Sequence, residues 1–264
     1  MNSGKLIKDF LREDVEDASK LLGLALNKTQ EQLFANLDYE INNSEFKKFL
    51  SLVEDRKSGK PFAYIKGSQG FYDHDFIVSP STLIPRPETE LLIDVALDRL
   101  DSDKRIKALD LGTGSGIIAI TLSEKCPKWE ISATDRSSEA LRIAKLNANR
   151  GIDFYCGNWF EPLSDKKFDL IVSNPPYISQ RDPHLKNLSF EPIEALVSGD
   201  DGLEDIKFII SKAPQFLSQS GLLLLEHGYD QKDRITDLLE KSFKNITTYT
   251  DINNLDRAIL AELR

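Results

Sequence analysis

Lys107-Ala108-Leu109-Asp110-Leu111-Gly112-Thr113-Gly114-Ser115-Gly116 runs from a short apolar strand straight into a glycine-rich turn. Ile117 to Glu124 then reads as a helix, and Glu130 to Thr134 as a second strand ending in Asp135. Ser137 to Asn149 reads as a further helix with Ala140, Leu141, Ala144 and Leu146 turned inward. Strand, helix, strand at this spacing is a βαβ unit, and such units build parallel sheets. Downstream, Asp153 to Cys156, Phe168 to Ser173 and Leu222 to Glu226 add strands. Asp230 to Lys241 is helical, and Ile246 to Thr250 can pair with Ala258 to Leu263 as a terminal hairpin.

The strand Phe168 to Ser173 stops at Asn174-Pro175-Pro176-Tyr177. Two consecutive prolines cannot continue a ladder, so the tetrapeptide is held at the carboxyl end of a strand. In open α/β sheets that edge is where ligands bind. Residues 174 and 175 each precede a proline and are biased toward extended geometry. The prolines lack an N–H, which leaves the segment poor in donors and rich in rigidly placed carbonyls. With the ring of Tyr177 beside them, these groups make a slot for a planar group carrying an NH2. The plainer alternative is a proline-rich strand exit with an aromatic packed on it.

The region before the βαβ unit is of another kind. Residues 1–60 read as a small helical bundle. Val15, Ala18, Leu21 and Leu22 recur at helical spacing, with Asp14 as N-cap and Gly23 as stop. Phe46, Phe49, Leu50 and Val53 do the same behind Ser44, and Arg56, Lys57 and Gly59 mark a C-terminus that Pro61 enforces. The polar faces of this bundle are either solvated surface or a docking surface for a partner. Residues 62 to 80, rich in aromatic and β-branched side chains and punctuated by Gly67 and Gly70, suggest a β-hairpin joining two domains. In Leu83-Ile84-Pro85-Arg86-Pro87-Glu88-Thr89-Glu90 the prolines impose an extended segment ahead of the next helix. Arg86 is either a ligand-facing cation or a loop charge. The expected division is 1–60 helical, 61–84 hairpin linker and 85–264 the α/β domain.

Composition narrows the class. At 40% hydrophobic and 29% charged the 264 residues are ordinary for a globular protein. A net charge of −9 and a pI of about 5.0 give no basic footprint for bare nucleic acid. No apolar run approaches the ~20 residues of a membrane span, and Met1 to Phe10 lacks a signal core. The two cysteines, Cys126 and Cys156, suit free buried thiols in a reducing cytoplasm. His74, His184 and His227 stand in no metal-ligand spacing, so no metal is expected.

The glycine loop narrows the ligand. Gly112-x-Gly114-x-Gly116 has Ile117 where a dinucleotide fingerprint wants its third glycine, and no Gly-Lys-Ser/Thr follows as in a phosphate loop. A tight glycine turn still lets a ligand approach the backbone. Asp135, about 20 residues further on at a strand tip, is placed to accept hydrogen bonds from a ribose diol; alternatively it caps the helix starting near Ser137, and both roles can hold together. Asp110, just before the turn, could face an ammonium group. A nucleoside with an amino-acid tail and no pyrophosphate uses all of these features, and S-adenosylmethionine is that molecule.

Several blocks now stand in order: Pro61-x-x-Tyr64-Ile65-x-Gly67, Ile84-Pro85-Arg86-Pro87-Glu88-Thr89-Glu90, Asp110 to Gly116, Asn158-Trp159-Phe160, Val172 to Ile178, Phe190-Glu191-Pro192 and Leu225-Glu226-His227-Gly228. On these the chain resembles the HemK/PrmC family of protein-glutamine N5-methyltransferases, which modify peptide chain release factors. The resemblance is dense from about Lys60 onward and rests on placement and character before it. It implies a Rossmann-like class I S-adenosylmethionine-dependent methyltransferase domain with a small N-terminal helical bundle joined by a β-hairpin. It puts S-adenosyl-L-methionine, which leaves as S-adenosyl-L-homocysteine, against Gly112, Thr113, Gly114, Ser115, Gly116, Asp135 and Trp159. Trp159 would border the adenine, its other role being core packing. Asn174 would stand between cofactor and substrate, and Asn174, Pro175, Pro176 and Tyr177 would hold the substrate glutamine. The family often has glycine where Asp73 and Asn254 stand; Asp and Asn are the residues that best replace glycine at positive φ.

The chemistry implied is methylation of an amide nitrogen, a poor nucleophile because its lone pair is delocalised. Carbonyls of Asn174 and Pro175, each accepting one N–H, would fix the NH2 and stabilise the positive charge that develops on it. Tyr177 would pack on the amide plane and exclude water. No strong base is required; Glu191 and His227 are candidates only through the family blocks. Expected partners are class I release factors with a Gly-Gly-Gln loop, with no direct nucleic acid and no membrane, the enzyme being a cytoplasmic monomer. Two rivals remain open: an adenine-N6 nucleic-acid methyltransferase, which would need a flipped base in a basic channel, and an inactive cofactor-binding interaction protein.

Overall fold

The computed structural model describes residues 6–10 and 16–264, so the expected Asp14 cap and Val15 lie outside the described residues. The chain divides into two compact units, Met1–Gly67 and Ser68–Arg264. The first is helical: α1 (Ile7–Phe10), α2 (Ala18–Leu26), α3 (Gln30–Ala35), α4 (Asn43–Lys57) and α5 (Phe62–Lys66). Leu21, Leu22, Leu33, Phe49 and Val53 form its core with Ile7 and Phe10. Three local expectations need correction. Gly23 does not stop α2; the helix runs on to Leu26 and ends at Asn27 in the left-handed region, and a Cβ on Gly23 would lie 2.8 Å from the carbonyl oxygen of Lys28. The head of α4 is Asn42, not Ser44: Asn42 accepts from the Ser44 and Glu45 amides while Glu45 accepts from the Asn42 amide, a capping box. Leu50, expected inward, is 43% exposed.

The hairpin is shorter than the expected 62–80. Residues 62–66 form α5, and Gly67 caps that helix at φ 81° instead of punctuating a strand. The hairpin proper is β1 (Ser68–Phe71) paired antiparallel with β2 (His74–Ile77). Its two-residue turn carries positive φ at Tyr72 (53°), not at Asp73. Tyr72 is held there because its amide donates to Glu90 at 2.8 Å and its hydroxyl donates to Asp94. Asn254 does adopt the left-handed region, at φ 60°.

The remaining elements are α6 (Glu90–Arg99), β3 (Lys107–Leu111), α7 (Ile117–Lys125), β4 (Glu130–Asp135), α8 (Ser138–Asn147), β5 (Asp153–Cys156), β6 (Phe168–Ser173), α9 (Glu204–Lys212), β7 (Leu217–Glu226), α10 (Lys232–Leu239), β8 (Phe243–Thr250) and β9 (Asp256–Leu263). They build a seven-stranded sheet in the order β5-β4-β3-β6-β7-β9-β8. The five strands from β5 to β7 in that order are parallel, and β9 is antiparallel to both its neighbours. Alternate residues feed two cores, as a sheet covered on both faces requires. Ala108, Leu170, Val172 and Leu224 join the core that includes α6 and α7. Leu109, Leu111, Ile171, Leu223 and Leu225 join the one with α9 and α10. On α8 the inward residues are Ala140, Leu141, Ile143 and Ala144, whereas Leu146, expected inward, is 58% exposed. Cys126 is buried but Cys156, expected buried, is exposed. Among the described residues no helix is long and apolar enough to cross a membrane.

Candidate active site

Strand order reverses between β3 and β6, so the loops leaving these neighbours diverge and open a crevice at their carboxyl ends. Register decides which residues meet there. Leu111 lies opposite Ser173 on one side and opposite Thr134 on the other. Gly112, Asn174 and Asp135, each one residue further along, are thereby brought together. The Ser173 hydroxyl donates to the Leu111 carbonyl at 2.7 Å, and the Gly112 and Thr113 amides both donate to the Thr134 carbonyl at 2.9 Å. The crevice is a cavity of about 620 Å³, within the usual range for small-molecule sites.

Gly112, Thr113, Gly114 and Ser115 form one wall, with Asp135 beside them. The Asp135 carboxylate accepts from the Gly114 amide at 2.8 Å and from the Ser137 amide at 2.8 Å. It thus ties the glycine turn to the entry of α8, where Ser137 is the N-cap. Burial raises its pKa, and the two backbone N–H groups oppose that shift. Gly116 does not reach the cavity. At φ 88° a Cβ there would lie 2.7 Å from Ile120 and 3.2 Å from Ala144, so its role is close packing of the loop.

Trp159 lines the cavity and also packs against the core. It donates from Nε1 to Asp205 at 3.2 Å, and lies so close over Gly112 that a Cβ on that glycine would be 3.2 Å from the indole. Asp110 is behind the wall rather than on it. It accepts from the Thr113 hydroxyl at 2.6 Å and the Ala119 amide at 3.1 Å, and burial pushes its carboxyl up to about 7.

The tetrapeptide splits between surface and interior. Asn174 and Pro176 border the cavity; Pro175 and Tyr177 do not. The expected aromatic cover is therefore absent from the cavity wall. The Tyr177 ring packs with the core under α9, its hydroxyl donates to Glu226 Oε1 at 3.1 Å, and its carbonyl accepts from Gln231 at 3.0 Å. Burial, with the neighbouring Glu226 charge, raises the Tyr177 pKa. Asn174 donates from Nδ2 to the Thr89 hydroxyl at 3.0 Å. Its Oδ1 has no hydrogen-bond partner among the described residues.

Arg86 borders the cavity and is at the same time an ion-pair partner: it donates to Glu191, which also accepts from the Ile84 amide at 2.9 Å. Neither Glu191 nor His227 borders the cavity. His227 is fully buried, its Nδ1 against the Gly228 carbonyl, and burial lowers its pKa. Sequence reasoning missed Thr89 and Glu226 as parts of the site. The available signal was a carboxylate, Glu226, closing an otherwise apolar strand at the ligand-binding edge. It also missed the Pro192 to Val197 wall, which carries no chemical motif. No cluster of metal-ligating side chains occurs among the described residues.

A parallel sheet reversing at β3 and β6, closed by an antiparallel hairpin, with a glycine turn facing a strand-tip aspartate, defines a class I S-adenosylmethionine-dependent methyltransferase. Solved structures share this fold. A methyltransferase from Pyrococcus furiosus superposes with a TM-score of 0.56 at 16% identity, covering 79% of this chain and 98% of its own. The hMettl16 catalytic domain in complex with MAT2A 3'UTR hairpin 1 gives 0.59 at 15%, covering 91% and 90%. At such identities the likeness is one of fold alone. Family profiles go further: the PrmC N-terminal domain matches residues 6–67 and the methyltransferase small domain residues 88–191. The release factor glutamine methyltransferase of Coxiella burnetii is 42% identical over 250 residues, 93% of this chain and 90% of the relative. That of Xylella fastidiosa (strain Temecula1) is 44% identical over 248 residues, 91% and 90%. The chain belongs to the PrmC/HemK family of release factor glutamine methyltransferases.

Proposed function

We propose that this chain methylates the side-chain amide nitrogen of the glutamine in the Gly-Gly-Gln loop of class I peptide chain release factors, and so supports translation termination. The cofactor of the family is S-adenosyl-L-methionine, and the residues present suit it. The carboxylate of Asp135 stands beside the Gly114 amide for a ribose diol, and the bare Cα of Gly112 lets the Trp159 indole close over the turn on the cavity wall. When bound, the cofactor supplies an electrophilic methyl on a sulfonium and leaves as S-adenosyl-L-homocysteine.

The observation that carries the reading is the Asn174 amide: on the cavity wall, held at Nδ2, with Oδ1 unpartnered. That oxygen accepts one N–H of the glutamine amide, orients the nitrogen lone pair and stabilises charge as it develops. Pro176 shapes the wall, and Tyr177 braces the segment through Glu226. The amide proton leaves to solvent after transfer, so no residue need act as a strong base. The helical unit, 1–67, serves to dock the intact partner. We take the enzyme to be a cytoplasmic monomer that binds neither nucleic acid nor membrane directly.

The test is incubation with labelled S-adenosylmethionine and either a release factor, the same factor with its Gly-Gly-Gln glutamine changed, or DNA. Label on the first alone is expected. Label on the glutamine variant would move the acceptor elsewhere, and label on DNA alone would replace this reading with an adenine methyltransferase.

A further inference from the structure

Thr89 closes the short 3-10 turn that precedes α6 and is 0% exposed, yet it reaches the cavity wall beneath Asn174. A buried hydroxyl is a costly group to leave without partners. Its Oγ1 accepts from Asn174 Nδ2 at 3.0 Å, across 85 positions of sequence. Glu226, which is 1% exposed, takes a hydrogen bond from the Tyr177 hydroxyl at 3.1 Å.

This arrangement has a chemical consequence. An asparagine amide has two ends of nearly equal size and opposite hydrogen-bonding character. Turned one way, Asn174 offers the cavity an acceptor; turned the other way, it offers a donor that would repel the N–H of an incoming amide. Nothing in the shape of the side chain selects between them. A hydroxyl has one proton to donate and lone pairs to accept with. Here the Thr89 hydroxyl accepts from Asn174 Nδ2, so the donor end of the amide is engaged and the acceptor end is left to the cavity.

We infer that Thr89 is the positioning residue of the site: its buried hydroxyl holds the Nδ2 end of Asn174 and thereby presents Oδ1 to the acceptor amide. The inference rests on the glutamine methyltransferase reading. It adds a residue that acts through Asn174. Val and Thr are close in shape, so Thr89→Val removes the hydroxyl with little change of volume. The freed Asn174 amide then populates both orientations, and the productive one no longer dominates.

The experiment compares Thr89→Val, Thr89→Ser, Asn174→Ala and the Thr89→Val/Asn174→Ala double variant. Single-turnover methyl transfer to a release factor is measured at saturating cofactor, beside cofactor affinity by calorimetry. Thr89→Val should slow transfer ten- to a hundredfold while cofactor affinity stays within threefold, and Thr89→Ser should recover most of the loss. In the Asn174→Ala background Thr89→Val should have no further effect, since its target is gone. Nitrogen-15 spectra give a reading independent of substrate. The Asn174 NH2 protons, assigned by their absence in Asn174→Ala, should exchange with solvent at least tenfold faster in Thr89→Val than in the parent. An unchanged exchange rate, or equal slowing by Thr89→Val with and without Asn174, overturns the inference. A parent enzyme that leaves release factors unlabelled overturns the functional reading instead, and the exchange measurement still decides the role of Thr89.

Discussion

Arg86 donates to the carboxylate of Glu191 across 105 positions of sequence, joining the Ile84 to Glu90 block to the Phe190 to Pro192 block. The pair pins the approach to α6 against the Pro192 to Val197 wall of the cavity. Glu191 is 7% exposed, and its carboxylate is partnered by Arg86 and the Ile84 amide. Breaking a buried pair from one side costs up to ~3–5 kcal/mol. Arg86 is partly solvated, and screening reduces that to about 1–2 kcal/mol. Arg86→Ala should therefore lower Tm by about 3–6 °C and raise the KM for the release factor. Glu191→Gln, which keeps an acceptor for Ile84, should do less. A thermal scan in which Arg86→Ala matches the parent would show that the pair does not brace this wall.

Asp135 should control cofactor affinity. Its two oxygens already hold the Gly114 and Ser137 amides, and their remaining lone pairs face the cavity. Hydrogen bonds to a charged acceptor contribute ~1.5–3 kcal/mol. Asp135→Ala should weaken S-adenosylmethionine binding about ten- to a hundredfold. Calorimetry giving unchanged affinity in a folded variant would remove Asp135 from the ribose.

Asn174→Ala deletes the acceptor on the cavity wall. Losing one preorganised contact at a developing charge costs ~10²–10³ in rate. Single-turnover transfer should fall by at least that order, with cofactor affinity changed far less. A rate within about threefold of the parent would reduce the tetrapeptide to a strand exit.

Two buried carboxyls give stability a definite pH slope. Burial pushes Glu226 up to about 7 from an ordinary 4.5, and Asp110 up to about 7 from 3.8. Between those values the native state holds more protons than the unfolded chain, so these groups lower stability as pH rises through the window. Glu226→Gln and Asp110→Asn should each flatten the fall in Tm between roughly pH 4.5 and 7 relative to the parent. Parallel Tm curves for parent and variants would contradict the assignment.

The helical unit carries Phe34 and Leu50 at its surface, 57% and 43% exposed, beside charged side chains. If it docks the partner, Phe34→Asp should raise the KM for intact release factor several-fold. A short Gly-Gly-Gln peptide should be methylated as by the parent. Equal effects on both substrates would end the docking assignment.

Local order was legible in the sequence because it depends on near neighbours. Alternating and continuous apolar runs located β3 to β9, and the glycine turn after Leu111 with the prolines after Asn174 marked where strands stop. The dense motif blocks placed the chain in its family. The misjudged elements were those where a distant contact or one more local bond decided the matter. Gly23 continued α2 because a Lys28 carbonyl needed its bare Cα, and Phe62 to Lys66 turned helical with Gly67 as cap.

Side-chain direction was decided by tertiary structure alone. The register of Leu111 with Ser173 and Thr134 brings Gly112, Asn174 and Asp135 to one crevice. The same packing turns Tyr177 inward to Glu226, withdraws Asp110 behind Thr113, and sets Thr89 under Asn174. The bonds of Tyr177 to Glu226 and of Asn174 to Thr89 join residues remote in sequence, formed because a buried polar group must find a partner wherever the fold supplies one. The chain order names the residues that can make such bonds; only the folded sheet determines which of them meet.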